Sequence, residues 1–292
     1  MTAGTERKGL VLGLVGIAVF SLTLPATRIA VTGLDPLFVG AGRCVVAALL
    51  GILYLLAVRS KWPLRSEWVP LLITAGGVVF GFPLLTSLAM RQVDASHGAI
   101  VVALLPLATA AVASLRGGER PSAGFWAMGF LGSGAVILFV LLRGAGAFSP
   151  ADLLLLCAVV AAGFGYAEGG KLSRTRESLE VISWALVVSL PVTIPVAVWF
   201  SAANAPVTGI APWAGFAYVA VFSQFLGFQA WYRGLAIGGI ARVGQLQLLQ
   251  VFLTLFASAL LLGEKVDALE VGFAATIVLI VALGRRMPVR RA

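Results

Sequence analysis

The sequence predicts an all-α integral membrane fold of ten transmembrane helices, and three observations carry that prediction. Of its 292 residues, 60% are hydrophobic and only 11% are charged, with a mean hydropathy of +1.02. Soluble domains carry about 25% charged residues. The apolar residues fall into about ten blocks, each near the ~20 residues that a helix needs to cross a bilayer. The 21 basic residues are also unevenly placed: with a cytoplasmic N-terminus and alternating spans, all but Arg28, Arg43, Arg91, Arg143 and Lys265 fall at the inner side. This positive-inside bias requires an even number of spans and puts both termini inside. The net charge of +9 therefore reads as membrane orientation, and no nucleic-acid partner is expected.

The chain also looks duplicated. Gly234 to Lys265 runs from Leu235-Ala236 through a long apolar helix to Gly263-Glu264-Lys265. Leu88 to Arg120 has the same outline, from Leu88-Ala89 to Gly118-Glu119-Arg120. The predicted spans are 9–32, 36–58, 68–90, 95–115 and 122–142 in a first half over 1–146, then 150–170, 179–201, 211–237, 240–262 and 266–284 in a second half over 147–292.

In the first span, Gly9 and Gly13 stand four apart, a spacing that lets helices approach closely, and Pro25 predicts a kink beyond midspan. Arg7 and Lys8 precede a run read as a retained helix rather than a removed leader. The second span carries Arg43, which reads as a structural residue bonding helix-end carbonyls; the sharper alternative is a contact for a substrate carboxylate. Trp62 and Trp68 bracket a basic inner loop as interfacial anchors. The third span holds Gly76, Gly77 and Gly81 for close packing, with Phe80 and Phe82 either lining a cavity or packing. His97, the single histidine, lies near the outer interface and reads as a hydrogen-bonded helix-end residue, with a role in an outer gate as the alternative. Pro106 breaks the backbone ladder of the fourth span near its middle. The small-residue-rich fifth span suits packing or dimerisation, and Gly144 to Ser149 reads as the linker between halves.

The sixth span repeats small residues at Ala161, Gly165 and Gly169. The string from Gly165 to Lys171 nearly spells a phosphate-binding loop, but Leu172 stands where Ser or Thr must hold magnesium and no strand precedes it. Glu168 reads as one half of a helix-end ion pair with Lys171, or as a titrating coupling residue. Residues 202–212 form an outer loop, and the eighth span puts Gln224 near midplane, with Trp231, Tyr232 and Arg233 as an inner aromatic belt. In the ninth span, Gln247, Gln250, Thr254 and Ser258 recur at three and four, which places them on one helix face. Lipid cannot satisfy such a stripe, so it must face protein, water or a ligand. Cys44 and Cys157 fall inside spans and read as buried small hydrophobes; no metal site, cofactor or catalytic group is expected.

These features, in their order and duplication, resemble the EamA-type carriers of the drug/metabolite transporter superfamily. The resemblance rests on Arg43, Leu88-Ala89, Pro106 and Gly118-Glu119-Arg120 in the first copy and Leu235-Ala236 and Gly263-Glu264-Lys265 in the second. Val251 stands where the second copy would carry the proline, which predicts a straighter ninth helix. The resemblance implies two inverted five-helix repeats around a central cavity, alternating access, and residence in a bacterial inner membrane, as monomer or homodimer. It further suggests the branch that exports aromatic and other neutral amino acids, with drugs, organic cations and purine-type metabolites as alternatives.

The expected cavity residues are Ser21, Phe80, Phe82, Thr86, Phe164, Tyr166, Gln224, Phe228, Gln247, Gln250 and Thr254. Aromatic faces and neutral hydrogen-bonding groups with little fixed charge suit a small zwitterion or a flat cation. An intramembrane enzyme would need a nucleophile–base pair or metal cluster, and a receptor a soluble domain; neither pattern is present in the sequence.

Overall fold

The computed structural model describes residues 3–116, 119–143, 149–203, 209–284, 287 and 289–291. Gly118, most of the expected linker Gly144–Ser149, much of the loop 202–212, and Arg285 and Arg286 lie outside the described residues.

Among the described residues the helical stretches are grouped in chain order as α1 to α10, several of them interrupted. α1 runs over Ala3–Ser21 and, past a turn at Leu22, Thr23–Ala30. α2 is Pro36–Ala57, with the Asp35 carboxylate accepting from the Leu37 and Phe38 amides at its N-terminus. α3 comprises Trp68–Thr74, a π-helical stretch Ala75–Gly81, and Phe82–Ala89. α4 is Ala95–Val102 and Leu105–Arg116, and α5 is Ala123–Arg143. α6 (Pro150–Leu172) and α7 (Ser178–Ala203) follow. α8 comprises Ile210–Tyr218, a second π-helical stretch Val219–Leu226, and Gly227–Gly238. α9 is Ile240–Gly244 and Gln247–Leu262, and α10 is Ala268–Gly284. Among the described residues, eight of these helical stretches are long and apolar enough to cross a membrane; α5 and α10 are the shorter apolar pair. One element had no sequence signal: β1 (Glu119–Pro121) pairs antiparallel with β2 (Val289–Arg291).

Prolines explain three of the interruptions. A proline lacks the N–H that would bond the carbonyl four residues back. Pro25 follows the turn at Leu22, Pro83 ends the π-helical stretch of α3, and Pro106 opens the second half of α4. The expectation of a straighter ninth helix is corrected. α9 breaks at Gln245–Leu246, where Leu246, Leu248 and Leu249 bond three residues back, much as Ala103, Leu104 and Leu107 do in α4.

α2 packs along α7, α1 along α8, α3 along α6, and α5 along α10. Two of these contacts are glycine seams. A Cβ added at Gly9 would sit 2.6 Å from the Gly238 Cα, and one at Gly234 would sit 2.9 Å from the Gly13 amide. On the other seam, a Cβ at Gly77 would sit 2.3 Å from the Ala161 carbonyl oxygen and 2.8 Å from the Gly165 Cα. Without a hydrophobic drive between helices in lipid, such close backbone approach supplies the packing energy. Cys44 is buried as expected, but Cys157 is exposed, which corrects that reading.

Candidate functional site

Five helices with interrupted backbones, α1, α3, α4, α8 and α9, meet α2 and α6 at one enclosed point. Phe20, Thr23, Leu24, Arg43, Val78, Phe82, Leu105, Tyr166, Ser223, Gln224, Phe228 and Gln250 line it. Its open centre has room for about one water molecule. A second narrow space, shared at Leu24 and Gln250, continues along α9 past Gln247 and Thr254 to Ala99, Val102 and Ala103 of α4.

The wall is held by carbonyls that the prolines release. Phe82 bonds the Gly77 carbonyl five residues back, so the Val78 carbonyl awaits an amide from Pro83, which has none. Gln224 Nε2 takes that carbonyl at 2.9 Å, and Cys44 Sγ takes the Val79 carbonyl at 3.0 Å. Pro25 likewise leaves the Ser21 carbonyl without its helical donor, and Thr254 Oγ1 donates to it at 2.8 Å. Gln250 Nε2 donates to the neighbouring Phe20 carbonyl at 3.3 Å. Two of the ninth-helix polar groups thus reach the broken turn of α1.

Arg43 is 1% exposed. Its Nε donates to Gln224 Oε1 at 3.1 Å and its Nη2 to Ser223 Oγ at 3.3 Å, while Nη1 has no partner. The expected bonds to helix-end carbonyls are replaced by side chains of the α8 π-helical stretch. Ser223 is in turn bonded to Thr23 across 2.8 Å. Opposite lies an aromatic cluster: Phe20 stands edge-on to Phe228 at 5.1 Å and to Trp231 at 6.1 Å, and Tyr166 edge-on to Trp231 at 5.4 Å. Trp231 and Tyr232 are fully buried, which corrects their reading as an interfacial belt; the Tyr232 hydroxyl donates to the Gly165 carbonyl at 3.1 Å.

Of the residues expected around a cavity, Phe82, Tyr166, Gln224, Phe228 and Gln250 line the enclosed point, and Gln247 and Thr254 line its extension. Gln247 is 3% exposed, and neither atom of its amide has a partner. The hydroxyls of Ser21 and Thr86 turn back onto their own helices, to the Ala18 and Phe82 carbonyls. Phe80 is half-buried and outside the wall. Phe164 is 39% exposed and faces away from the bundle, because α6 turns Tyr166 inward instead. Thr23 and Ser223 were missed by the sequence reading: small hydroxyls in apolar runs carry no signal until a distant guanidinium meets them.

The remaining polar candidates sit at the two ends. Glu168 pairs with Arg116 rather than with Lys171, whose Nζ donates to the Arg116 carbonyl at 3.0 Å. At the same end, Arg176 joins Glu67 at 3.0 Å and the Lys61 carbonyl at 3.0 Å, beside a wide polar basin. At the other end His97 Nε2 meets Asp152 Oδ1 at 2.6 Å, Arg28 meets Asp94 at 3.5 Å, and the Glu264 carboxylate accepts from the Ala95 and Ser96 amides at 2.9 Å each.

The profile of the EamA-like transporter family matches residues 7–141 and again residues 149–284. A Bacillus subtilis (strain 168) protein named "Uncharacterized transporter YdeK" is 45% identical over 278 residues, covering 95% of this chain and 97% of that one. A protein solved by crystallography superposes with a TM-score of 0.71 at 19% identity, covering 95% of this chain and 98% of the other, a likeness of fold alone. With the profile matched on both halves of a multi-pass helical chain and a named transporter aligned end to end, the protein belongs to the EamA-like transporter family of membrane transporters.

Proposed function

We propose that this transporter exports small neutral or zwitterionic metabolites, above all amino acids of the aromatic, threonine and methionine type, by alternating access through the enclosed site. The observation that carries the reading is Gln247: a buried amide with neither polar atom bonded, on a narrow space that shares Leu24 and Gln250 with the enclosed point lined by Phe20, Phe82, Tyr166 and Phe228. An unpaired amide costs about 1–3 kcal/mol. A ligand bonding it offsets that cost, while the rings receive an apolar or aromatic body.

The architecture behind the reading is ten crossings in two inverted halves, with both termini in the cytoplasm of a bacterium. Equivalent places in the halves support it: the π-helical stretches Ala75–Gly81 and Val219–Leu226, the breaks in α4 and α9, and the reciprocal seams of α1 with α8 and of α6 with α3. Basic residues at one end support the orientation. Described ion pairs and hydrogen bonds tie both ends, so the two sets would have to break in alternation while the centre is preserved.

Purified protein in liposomes should exchange labelled tryptophan or threonine only when unlabelled amino acid is inside. Exchange of an organic cation or a purine, with no amino acid exchanging, overturns the substrate class. With little buried acid at the site, efflux is expected without an imposed pH gradient; strict dependence on the gradient sinks facilitated export.

A further inference from the structure

Among the described residues, Arg43 carries a positive charge with no ion-pair partner. The acidic residues with described ion pairs sit elsewhere: Glu67 and Glu180 face Arg176, Asp94 faces Arg28, Asp152 faces His97, Glu168 faces Arg116, and Glu177 faces Arg233. Asp35 and Glu264 are spent on helix N-termini. Among the described residues no carboxylate reaches the guanidinium, whose partners are one amide and one hydroxyl. A buried guanidinium held only for structure is ordinarily paired or fully hydrogen-bonded, because desolvating it alone is expensive. Here the guanidinium is fixed on one side by Gln224 and Ser223, Nη1 is buried without a partner, and Arg43 is part of the cavity lining. Those two partners are themselves held, Gln224 by the Val78 carbonyl at 2.9 Å and Ser223 by Thr23 at 2.8 Å. A positioned guanidinium with one unused N–H group can give a carboxylate a charge-assisted hydrogen bond.

We infer that Arg43 anchors a substrate carboxylate through Nη1, so that the site takes solutes bearing a carboxylate on an aromatic or apolar body and discriminates against cations that lack one. The inference rests on the reading of the cavity as the transport site. It narrows that reading, since a flat organic cation would meet an unneutralised guanidinium close to the rings that would otherwise hold it.

Pairs of solutes that differ at the carboxylate test it. Purified full-length protein is titrated with tryptophan against its methyl ester and tryptamine, and with indole-3-propionate against 3-indolepropanol, reading thermal stabilisation and competition in liposome counterflow. The acids should half-saturate at concentrations at least about tenfold lower than their carboxylate-free partners, the weight of one charge-assisted hydrogen bond. Arg43→Gln should erase the difference while the carboxylate-free compounds keep their weak binding. Arg43→Lys, which keeps the charge and loses the fork, should fall between. Equal binding of acid and ester by the wild type overturns the inference whatever the variants do. So does an Arg43→Gln protein that loses acid and ester in equal proportion, the signature of a strap. If indole-3-propionate binds and no amino acid does, the anchor stands and the amino-acid reading falls. If tryptophan and its ester exchange alike, the reading stands and the anchor falls.

Discussion

Single residues in this site divide into those that repair the backbone and those that repair nothing. Thr254 repairs: its hydroxyl gives the Ser21 carbonyl the hydrogen bond that Pro25 cannot. Thr254→Val, which keeps shape and removes the donor, should lower stability by about 1–2 kcal/mol, seen as a drop in the midpoint of thermal unfolding. Gln247 repairs nothing, since its amide is buried without partners. Gln247→Leu should leave that midpoint unchanged or raise it, while transport in liposomes falls severalfold. A destabilised Gln247→Leu protein that transports normally would make this amide packing glue. Gln250→Ala should also lower transport with folded protein still in the membrane, because it faces both narrow spaces at once. The amide spacing along α9 was legible in the sequence. The carbonyl that Gln250 meets was not, because it lies 230 residues away in sequence.

At the level of elements, the glycine seams decide how near the helices come. Gly76 and Gly77 make a one-residue contrast on α3: a Cβ at Gly76 meets nothing within 4 Å, whereas one at Gly77 lands 2.3 Å from the Ala161 carbonyl oxygen. Gly77→Ala should therefore cost about 1–3 kcal/mol through forced separation of α3 from α6. Gly76→Ala should be neutral or stabilise by up to about 1 kcal/mol through helix propensity. Matched thermal unfolding in detergent reads both, and equal effects would refute the seam. The spacing of Gly9 with Gly13 and of Ala161 with Gly165 announced close approach. It could not name the partner, because several helices carry small residues. The break in α9 had no proline to announce it and became visible only in the backbone bonds of Leu246, Leu248 and Leu249.

Over the whole molecule, the centre is closed while both ends are tied. Arg176 is the hub of the basic end, joined to Glu67, Glu180, the Lys61 carbonyl and Ser60. Trp184 adds a bond to Ser60 at 3.2 Å. Removing the hub should tip the population toward a form open at that end, since a few kcal/mol suffice to shift such an equilibrium. In a background where Cys44 and Cys157 are replaced by Ala, a Ser223→Cys protein should react with a membrane-impermeant thiol reagent severalfold faster from the basic side when Arg176→Ala is added. No change in rate, or a faster reaction from the opposite side, would show that Arg176 does not hold this end shut.

Composition, block length and basic asymmetry were enough to determine a multi-pass helical membrane protein, because lipid imposes the same demands on every crossing segment: about twenty apolar residues and a protected partner for each polar group. They also marked Gln224, Gln250 and Arg43 as residues that must face inward. The transporter reading came instead from the resemblance of the two motif-bearing stretches to the EamA-type carriers. Which buried polar groups end up bonded and which stay bare was decided only by the tertiary structure. That outcome depends on where proline-released carbonyls of one helix meet the side chains of another, and no one-dimensional spacing records such a meeting.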